Sequence, residues 1–337
     1  MIDALKKVSS GADLTVEEAE SAMKAIMAGQ VTPVQAAGFL VALKMKGESA
    51  SEISSFAKVM REYSIRIEPK VKGTLIDMCG TGGDSSGTFN ISTAAMFVVA
   101  GCGIPVAKHG NRSITSKCGS ADVLEALGAR IDLPPERIRS CIEDVGVGFM
   151  FAPNHHPAMK NVGPIRKELG VRTVFNILGP LTNPANAKAQ LMGVFDPSLT
   201  ETLAEVFRLL GLQAAMVVHG QPGLDELSTI GQTKISHLAK GKVRTYHLDP
   251  KTLGFKAASI EDIKGGSAQE NAQLIRGILS GDIQGPRRDI VLLNAAAGIM
   301  VGGLKDGFKG ALELAADSID SGKALYKLDD FIAFTGG

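Results

Sequence analysis

The chain carries almost no net charge: 36 Lys and Arg stand against 35 Asp and Glu, leaving +1 over 337 residues. Proteins that bind nucleic acid by neutralising phosphates carry a clear basic excess, so this balance argues against that class. It leaves room for a local basic pocket around a small anion. Cysteine is scarce. Cys79, Cys102, Cys118 and Cys141 are far apart and form no CxxC pair, which argues against a zinc site or redox dithiol and fits a reducing compartment. Long apolar runs are missing. The longest, 94–107, is broken by Gly101, Gly103 and Pro105 and falls short of the ~20 residues that span a bilayer. The opening Met1-Ile2-Asp3-Ala4-Leu5-Lys6-Lys7 lacks the basic-then-apolar pattern of a secretion signal. The expectation is a cytoplasmic protein with no membrane and no nucleic-acid partner. At 45% hydrophobic and 21% charged residues, the chain can build a full apolar core without disulfide staples.

The first 65 residues read as a helical bundle. Thr15 with Glu18 is a capping-box signature, and Ala19, Ala22, Met23, Ile26 and Met27 follow at helical spacing up to Gly29. Thr32-Pro33 with Gln35 opens a second helix that Gly47 ends, and Ser49 with Glu52 opens a third that runs to about Tyr63. No catalytic cluster appears here. The texture changes from Gly73. Short apolar runs at 74–78, 104–107, 148–151, 190–195 and 214–219 alternate with helical patterns at 92–100, 120–127, 135–145 and 199–210. Alternating strand and helix predicts a mostly parallel sheet flanked by helices, with ligands beyond the carboxyl ends of the strands. The fold class is therefore α/β: a small N-terminal helical bundle domain, 1–68, and a larger domain with a mostly parallel central sheet, 72–337. A return segment to the bundle near 160–182 is left open.

Two strand ends carry the densest chemistry. The run 74–78 leads into Cys79-Gly80-Thr81-Gly82-Gly83-Asp84-Ser85-Ser86-Gly87, with four glycines in eight residues, then into Asn90-Ile91-Ser92-Thr93 at a helix start. Without side chains in the way, successive N–H groups can turn inward and cradle an anion, and the helix start adds free N–H groups and a positive dipole. This is neither a Walker loop nor a GxGxxG turn. The next strand ends in Lys108-His109-Gly110-Asn111-Arg112-Ser113-Ile114-Thr115-Ser116-Lys117-Cys118-Gly119-Ser120, which holds three cations, one His, one Asn and four hydroxyls within thirteen residues. That mixture suits a highly phosphorylated small molecule. A third strand end is followed by Asp225-Glu226. Adjacent carboxylates in a loop can turn toward one site, and two oxygen ligands without Cys or clustered His suit Mg²⁺. Alone, such a pair is usually solvated surface. His155 and His156 lack a third ligand nearby, which argues against a metal there.

These stretches resemble the anthranilate phosphoribosyltransferase family. Gly80-Thr81-Gly82-Gly83-Asp84, Asn90-Ile91-Ser92-Thr93 and Lys108-His109-Gly110-Asn111-Arg112-Ser113 are its signature segments. Asp225-Glu226 and the region from Pro153-Asn154-His155-His156-Pro157 to Arg166 match as well. The resemblance runs over essentially the whole chain. It implies a nucleoside phosphorylase-like fold and transfer of a phosphoribosyl group from phosphoribosyl pyrophosphate to anthranilate in tryptophan biosynthesis. It also implies a homodimer formed through the helical domain and two Mg²⁺ ions per subunit. One ion falls to Ser92 and Glu226, the other to Asp225 and Glu226. The donor falls to Gly80, Thr81, Gly82, Gly83, Asp84, Thr88, Asn90, Ser92, Thr93, Lys108, Gly110, Asn111, Arg112, Ser113, Ser116 and Ser120. The acceptor falls to Gly80, His109, Asn111, Pro153, His156, Met159 and Arg166, whose planar fork suits a carboxylate. The bland alternative for Arg166 is a surface pair with Glu168 or Glu143. No residue is assigned as acid or base, because the aniline nitrogen is neutral near pH 7. Cys79 and Cys118 depart from the family pattern, where a small aliphatic residue and a serine are expected. The competing readings are a pyrimidine nucleoside phosphorylase, whose Lys-His-Ser stretch is replaced here by Asp77-Met78-Cys79, and a non-catalytic nucleic-acid-binding relative.

Overall fold

The computed structural model describes residues 1–84, 86–113 and 117–336. The chain begins with α1 (Ile2–Ser9), α2 (Val16–Met27), α3 (Pro33–Lys46) and α4 (Ala50–Glu62). Reciprocal capping boxes start α2 at Thr15, α3 at Thr32 and α4 at Ser49, each satisfying orphan N–H groups of a first turn. Glu52 does more than cap. It is fully buried. Its carboxylate accepts from Leu14 N at 3.0 Å, Ser49 N at 2.8 Å and Lys46 Nζ at 2.8 Å, and so ties the α1–α2 loop to both ends of the α3–α4 connection.

The rest of the chain alternates strand and helix. In order come β1 (Ile76–Gly80), α5 (Ile91–Gly101), β2 (Val106–Gly110), α6 (Ser120–Ala126), α7 (Pro135–Asp144) and β3 (Val147–Phe151). Then follow α8 (Ala152–His155), α9 (Gly163–Leu169), α10 (Phe175–Leu178), β4 (Ala189–Gly193), α11 (Leu199–Leu209) and β5 (Ala214–Gly220). The chain closes with β6 (Thr233–Ala239), β7 (Lys242–Leu248), α12 (Ala268–Leu279), α13 (Pro286–Val301), α14 (Phe308–Asp320) and α15 (Lys323–Thr335). The seven strands are ordered β3-β2-β1-β4-β5-β6-β7, parallel through β5 and antiparallel beyond it. The chain leaves β1 in one direction toward β2 and returns to its other side at β4, so the switch point of this sheet lies between β1 and β4. No helix among the described residues is long and apolar enough to cross a membrane.

Side chains on successive strand residues face opposite layers. Leu191, Met216 and Val218 join α5 and α13 in one core, whereas Met192, Ala215 and Val217 join α11 and the N-terminal helices in the other. That second core also takes Val162, Val174, Phe175, Leu178 and Leu181, so the chain returns to the bundle after β3. The three crossings between bundle and sheet, before β1, after β3 and before β4, are fastened to one another. Ile65 N donates to His155 O at 2.8 Å, His155 Nδ1 donates to Ile65 O at 2.8 Å, and Ile67 N donates to Pro184 O at 3.2 Å.

Three features differ from the sequence expectation. β1 and β2 extend through Gly80 and Gly110, because parallel pairing continues past the last apolar residue: Gly80 opposes Gly193, and Lys108, His109 and Gly110 oppose Phe149, Met150 and Phe151. Lys108 and His109 are therefore strand residues. The hairpin of β6 and β7, turning at Lys240 and Gly241 with φ of 51° and 72°, and the helices α12–α15 are additional to the expected elements.

Replacing Glu52 with Ala should destabilise the protein by about 3–5 kcal/mol, since it strips the buried Lys46 ammonium of one partner and leaves Leu14 N–H unpaired. Urea denaturation checks this, and a loss below 1 kcal/mol would contradict the role given to Glu52.

Candidate active site

The glycine turn after β1, the end of β2 and the turn after β5 converge at the switch point. Gly82 N donates to Asp225 Oδ2 at 2.9 Å, and Ser92 N, in the first turn of α5, donates to Glu226 Oε1 at 3.1 Å. Lys108 crosses beneath, its buried ammonium donating to Met78 O and to Ser92 Oγ at 3.2 Å. Two glycines make the approach of the carboxylate turn possible. A Cβ at Gly80 would stand 2.4 Å from Asp225 Oδ2, and one at Gly193 only 1.5 Å from Asp225 O. Asn294 of α13 holds the turn from below: its side chain accepts from Leu227 N at 2.9 Å and donates to Leu227 O at 2.9 Å and Ile290 O at 2.9 Å. Gly82, Asp225, Glu226, Ser92 and Lys108 are thereby joined in one site.

The electrostatics of this site call for a cation. Burial, and beyond it the Asp84 carboxylate, push the Asp225 carboxyl up to about 7. Burial and then the Asp225 carboxylate push Glu226 up to about 8, against the pull of Lys108. A hard divalent ion relieves both effects. Among the described residues no three His, Cys, Asp or Glu side chains form a complete metal cage. An ion held here therefore draws its remaining ligands from hydroxyls such as Ser92 Oγ, from water and from a bound phosphate, which is the usual situation for Mg²⁺.

The remaining donor-side residues divide. Gly82 and Gly83 both have positive φ, 66° and 76°, and the N–H groups of Gly83 and Asp84 have no acceptor among the described residues. Thr93 Oγ1 is buried without a hydrogen bond among the described residues. Other groups are already engaged. Thr81 Oγ1 accepts from Phe195 N at 3.2 Å, Asp84 caps its own turn through Ser86, and Thr88 pairs with Lys264. Asn90 does not cap α5. Its amide donates to Cys118 O at 3.2 Å and accepts from Asn271 Nδ2 at 3.0 Å. Cys118, standing for the expected serine, aims its thiol at Asn90 Oδ1 at 3.4 Å. Ser120 Oγ donates to Asn111 O at 3.3 Å across Gly110, where a Cβ would meet that hydroxyl at 2.3 Å. Ser113 N donates to Asp122 at 3.2 Å. Arg112 is exposed and ion-paired with Asp122 at 2.9 Å and Glu125 at 2.6 Å, so its charge is spent on α6. Ser116 lies outside the described residues.

On the opposite face of β2 the chemistry is aromatic and neutral. His109 Nδ1 donates to Gly179 O at 3.2 Å, its Nε2 has no partner among the described residues, and its ring lies 5.0 Å from that of His156. Burial, and then the neighbouring His156 and His155, hold His109 well below the ordinary histidine value; burial, and then His155, bring His156 down to about 4. Neither ring nitrogen of His156 has a hydrogen bond among the described residues. Met159 and Arg166 are half-buried nearby in sequence, Pro153 is exposed, and the Arg166 guanidinium sits 5.7 Å from the Phe175 ring centre. Arg166 has no ion pair among the described residues, while Glu143 accepts from Lys70 N, so the bland surface-pair reading does not hold. Sequence motifs gave no sign of Asn271, Asn294 or the Asp77–Asn183 bond of 2.7 Å under β1, because each partner comes from a distant part of the chain.

The glycosyl transferase family matches this chain twice, through its helical bundle domain over residues 2–64 and its a/b domain over residues 72–325. Among curated proteins, the chain is 55% identical over 335 residues to the anthranilate phosphoribosyltransferase of Methanocorpusculum labreanum, covering 99% of this chain and 98% of that one. The chain belongs to the anthranilate phosphoribosyltransferase family. The family member from Acetivibrio thermocellus is 53% identical over 98% of this chain and 96% of its own length. The crystal structure of the anthranilate phosphoribosyltransferase from Thermus thermophilus matches with a TM-score of 0.94 at 46% identity, covering 99% of this chain and all of that one. The Saccharomyces cerevisiae enzyme in complex with PRPP and Mg matches with a TM-score of 0.91 at 29% identity, covering 99% and 97%. Both domains expected from the phosphoribosyltransferase resemblance are thus present.

The neutral histidines give a pH signature. A histidine whose folded value lies below the unfolded ~6.5 binds fewer protons when folded, so its contribution is full above pH 6.5 and is lost as pH falls toward the folded value. For His156, held at about 4, the loss reaches about 2 kcal/mol by pH 5. Asp225 and Glu226, raised instead of lowered, act with the opposite sign over the same range. The difference between the native protein and His156→Asn in urea unfolding should therefore shrink from pH 7.5 to pH 5; a constant difference would contradict a neutral buried His156.

Proposed function

We propose that this protein transfers the phosphoribosyl group of phosphoribosyl pyrophosphate to the amino group of anthranilate, giving N-(5-phosphoribosyl)anthranilate and pyrophosphate in tryptophan biosynthesis. The observation that carries the proposal is the junction itself: a carboxylate pair gathered with Gly82, Ser92 and Lys108 on one face of the β2 end, and the neutral His109–His156 pair on the other. Full-length relatives of the same activity and a yeast relative bound to PRPP and Mg support it. Four thiols without a disulfide fit a cytoplasmic setting.

Mg²⁺ is the cofactor this donor set favours, with two ions per subunit, one on Ser92 and Glu226 and the other on Asp225 and Glu226. The chemistry supplied by bound Mg²⁺ is neutralisation of the charge on departing pyrophosphate. The protein's own groups position and shield. The amides of Gly83 and Asp84, with the start of α5, hold donor phosphates. Lys108 keeps Ser92 Oγ in place and adds positive charge beneath the leaving group. His109 and His156, kept neutral, line the acceptor pocket without competing for the proton that the aniline nitrogen gives up. Arg166 offers its fork to the acceptor carboxylate. Attack needs no strong base, so orientation is the main contribution.

A homodimer through the helical domain is part of the same proposal. Val34, Val41 and Met45 lie along one face of α3, with exposures of 81%, 37% and 81%, and Ile2 of α1, the helix packed on α3, is 54% exposed. Such a stripe is suited to a second copy. Light scattering should give a dimer for the native chain and a monomer for Val34→Glu combined with Met45→Glu.

The deciding assay follows anthranilate fluorescence with phosphoribosyl pyrophosphate, with and without Mg²⁺, beside a phosphorolysis assay with thymidine. Consumption of anthranilate that requires Mg²⁺ and no phosphorolysis is expected. Glu226→Gln should lower kcat/KM by roughly 10²-fold or more, and Arg166→Ala should raise the acceptor KM by about 10–100-fold, equivalent to about 1.5–3 kcal/mol. Normal turnover of either variant would remove that residue from the site.

A further inference from the structure

Arg172 belongs to none of the assignments above, yet it touches the glycine turn. It follows α9 and the left-handed Gly170 (φ 60°), six positions after Arg166. Its Nη2 donates to Gly83 O at 2.6 Å, and its guanidinium stacks 3.9 Å from the centre of the Phe195 ring. Phe195 is tied in turn, its N–H donating to Thr81 Oγ1 at 3.2 Å while Thr81 N donates to Gly193 O at 2.9 Å. No carboxylate forms an ion pair with Arg172 among the described residues. Its bond to Gly83 is the one hydrogen bond, among the described residues, from the 157–181 segment to the glycine turn.

The consequence lies in peptide geometry. A trans peptide is planar, with its C=O and N–H pointing opposite ways. Gly82 and Gly83 both sit at positive φ; Gly82 N is anchored on Asp225, and Gly83 O is anchored on Arg172. Holding Gly83 O against the guanidinium aims the next N–H, that of Asp84, away from Arg172. The bond to a charged donor is of the strong kind, and the aromatic face restricts the side chain that makes it.

We propose that Arg172 is a positioning residue for the donor: it sets the orientation of the Gly83–Asp84 peptide and, through the backbone that links it to Arg166, ties the donor cradle to the acceptor side. The proposal rests on the glycine turn being the donor site.

Steady-state kinetics on the full-length protein test it. Arg172→Ala should raise the donor KM about tenfold while kcat changes less than twofold and the melting temperature stays put. Arg172→Lys, which keeps a charged donor without the planar fork, should recover part of the loss. Phe195→Leu, which keeps bulk but removes the ring face, should raise the donor KM by about threefold. A donor KM within twofold of native in both Arg172→Ala and Phe195→Leu would overturn the proposal. So would a matched loss in kcat and both KM values accompanied by a lower melting temperature. A native protein that binds no phosphoribosyl pyrophosphate would instead overturn the donor-site reading beneath it.

Discussion

The site depends on one close approach: a turn bearing two adjacent carboxylates is pressed onto the ends of β1 and β4. Nothing larger than glycine fits at position 193 under that turn, and a Cβ at position 80 would push the Asp225 carboxylate aside. The carboxylates are held there by backbone amides of Gly82 and Ser92, and among the described residues Lys108 offsets the charge of Glu226. Like charges gathered in a partly desolvated place raise each other's proton affinity, so the arrangement is favourable only for what later neutralises it. Asn294 shows how the fold meets that cost: a fully buried amide in a core helix is given over to holding both backbone groups of Leu227.

Strand geometry then divides the labour. Lys108 and His109 are neighbours in sequence, yet alternation along β2 sends one under α5 to the carboxylates and the other toward Gly179 and His156. Charge chemistry and aromatic chemistry meet at the tip of one strand without sharing a surface. The wall between them is polar too. Asp77 and Gln190 face each other across β1 and β4, and Asn183 closes the group by bonding Asp77 Oδ2 at 2.7 Å and Ala107 O at 2.8 Å.

Much of this was legible before any coordinates, for physical reasons that differ by element. Capping boxes at Thr15, Thr32 and Ser49 are local, spanning three residues, and each forms as its spacing predicts. The parallel strands are legible because both faces are buried and the apolar runs are continuous. Their ends are not, since pairing carried Lys108 and His109 into β2 beyond the apolar stretch. The β6–β7 hairpin, whose outer strand presents Lys242 and Arg244 at the sheet edge, has too few apolar positions to stand out. Within the site, residue types pointed to the right loops but not to each side chain's partner. Arg112 is taken by Glu125 and Asp122, and Asn90 by Cys118 and Asn271, while Arg172 carries no motif at all. Long-range pairing is what a linear reading cannot supply.

The three stretches of chain that cross between bundle and sheet are bonded side by side, Ile65 to His155 and Ile67 to Pro184. A plate hung on one strap can twist in any direction; held by three straps stitched together, it resists torsion. The seam is backed by packing as well, because Met192, Ala215 and Val217 of the sheet share one core with α11 and the N-terminal helices. It also means that cutting the chain after the fourth helix would not free a bundle, because part of that bundle's interior is delivered only after the third strand.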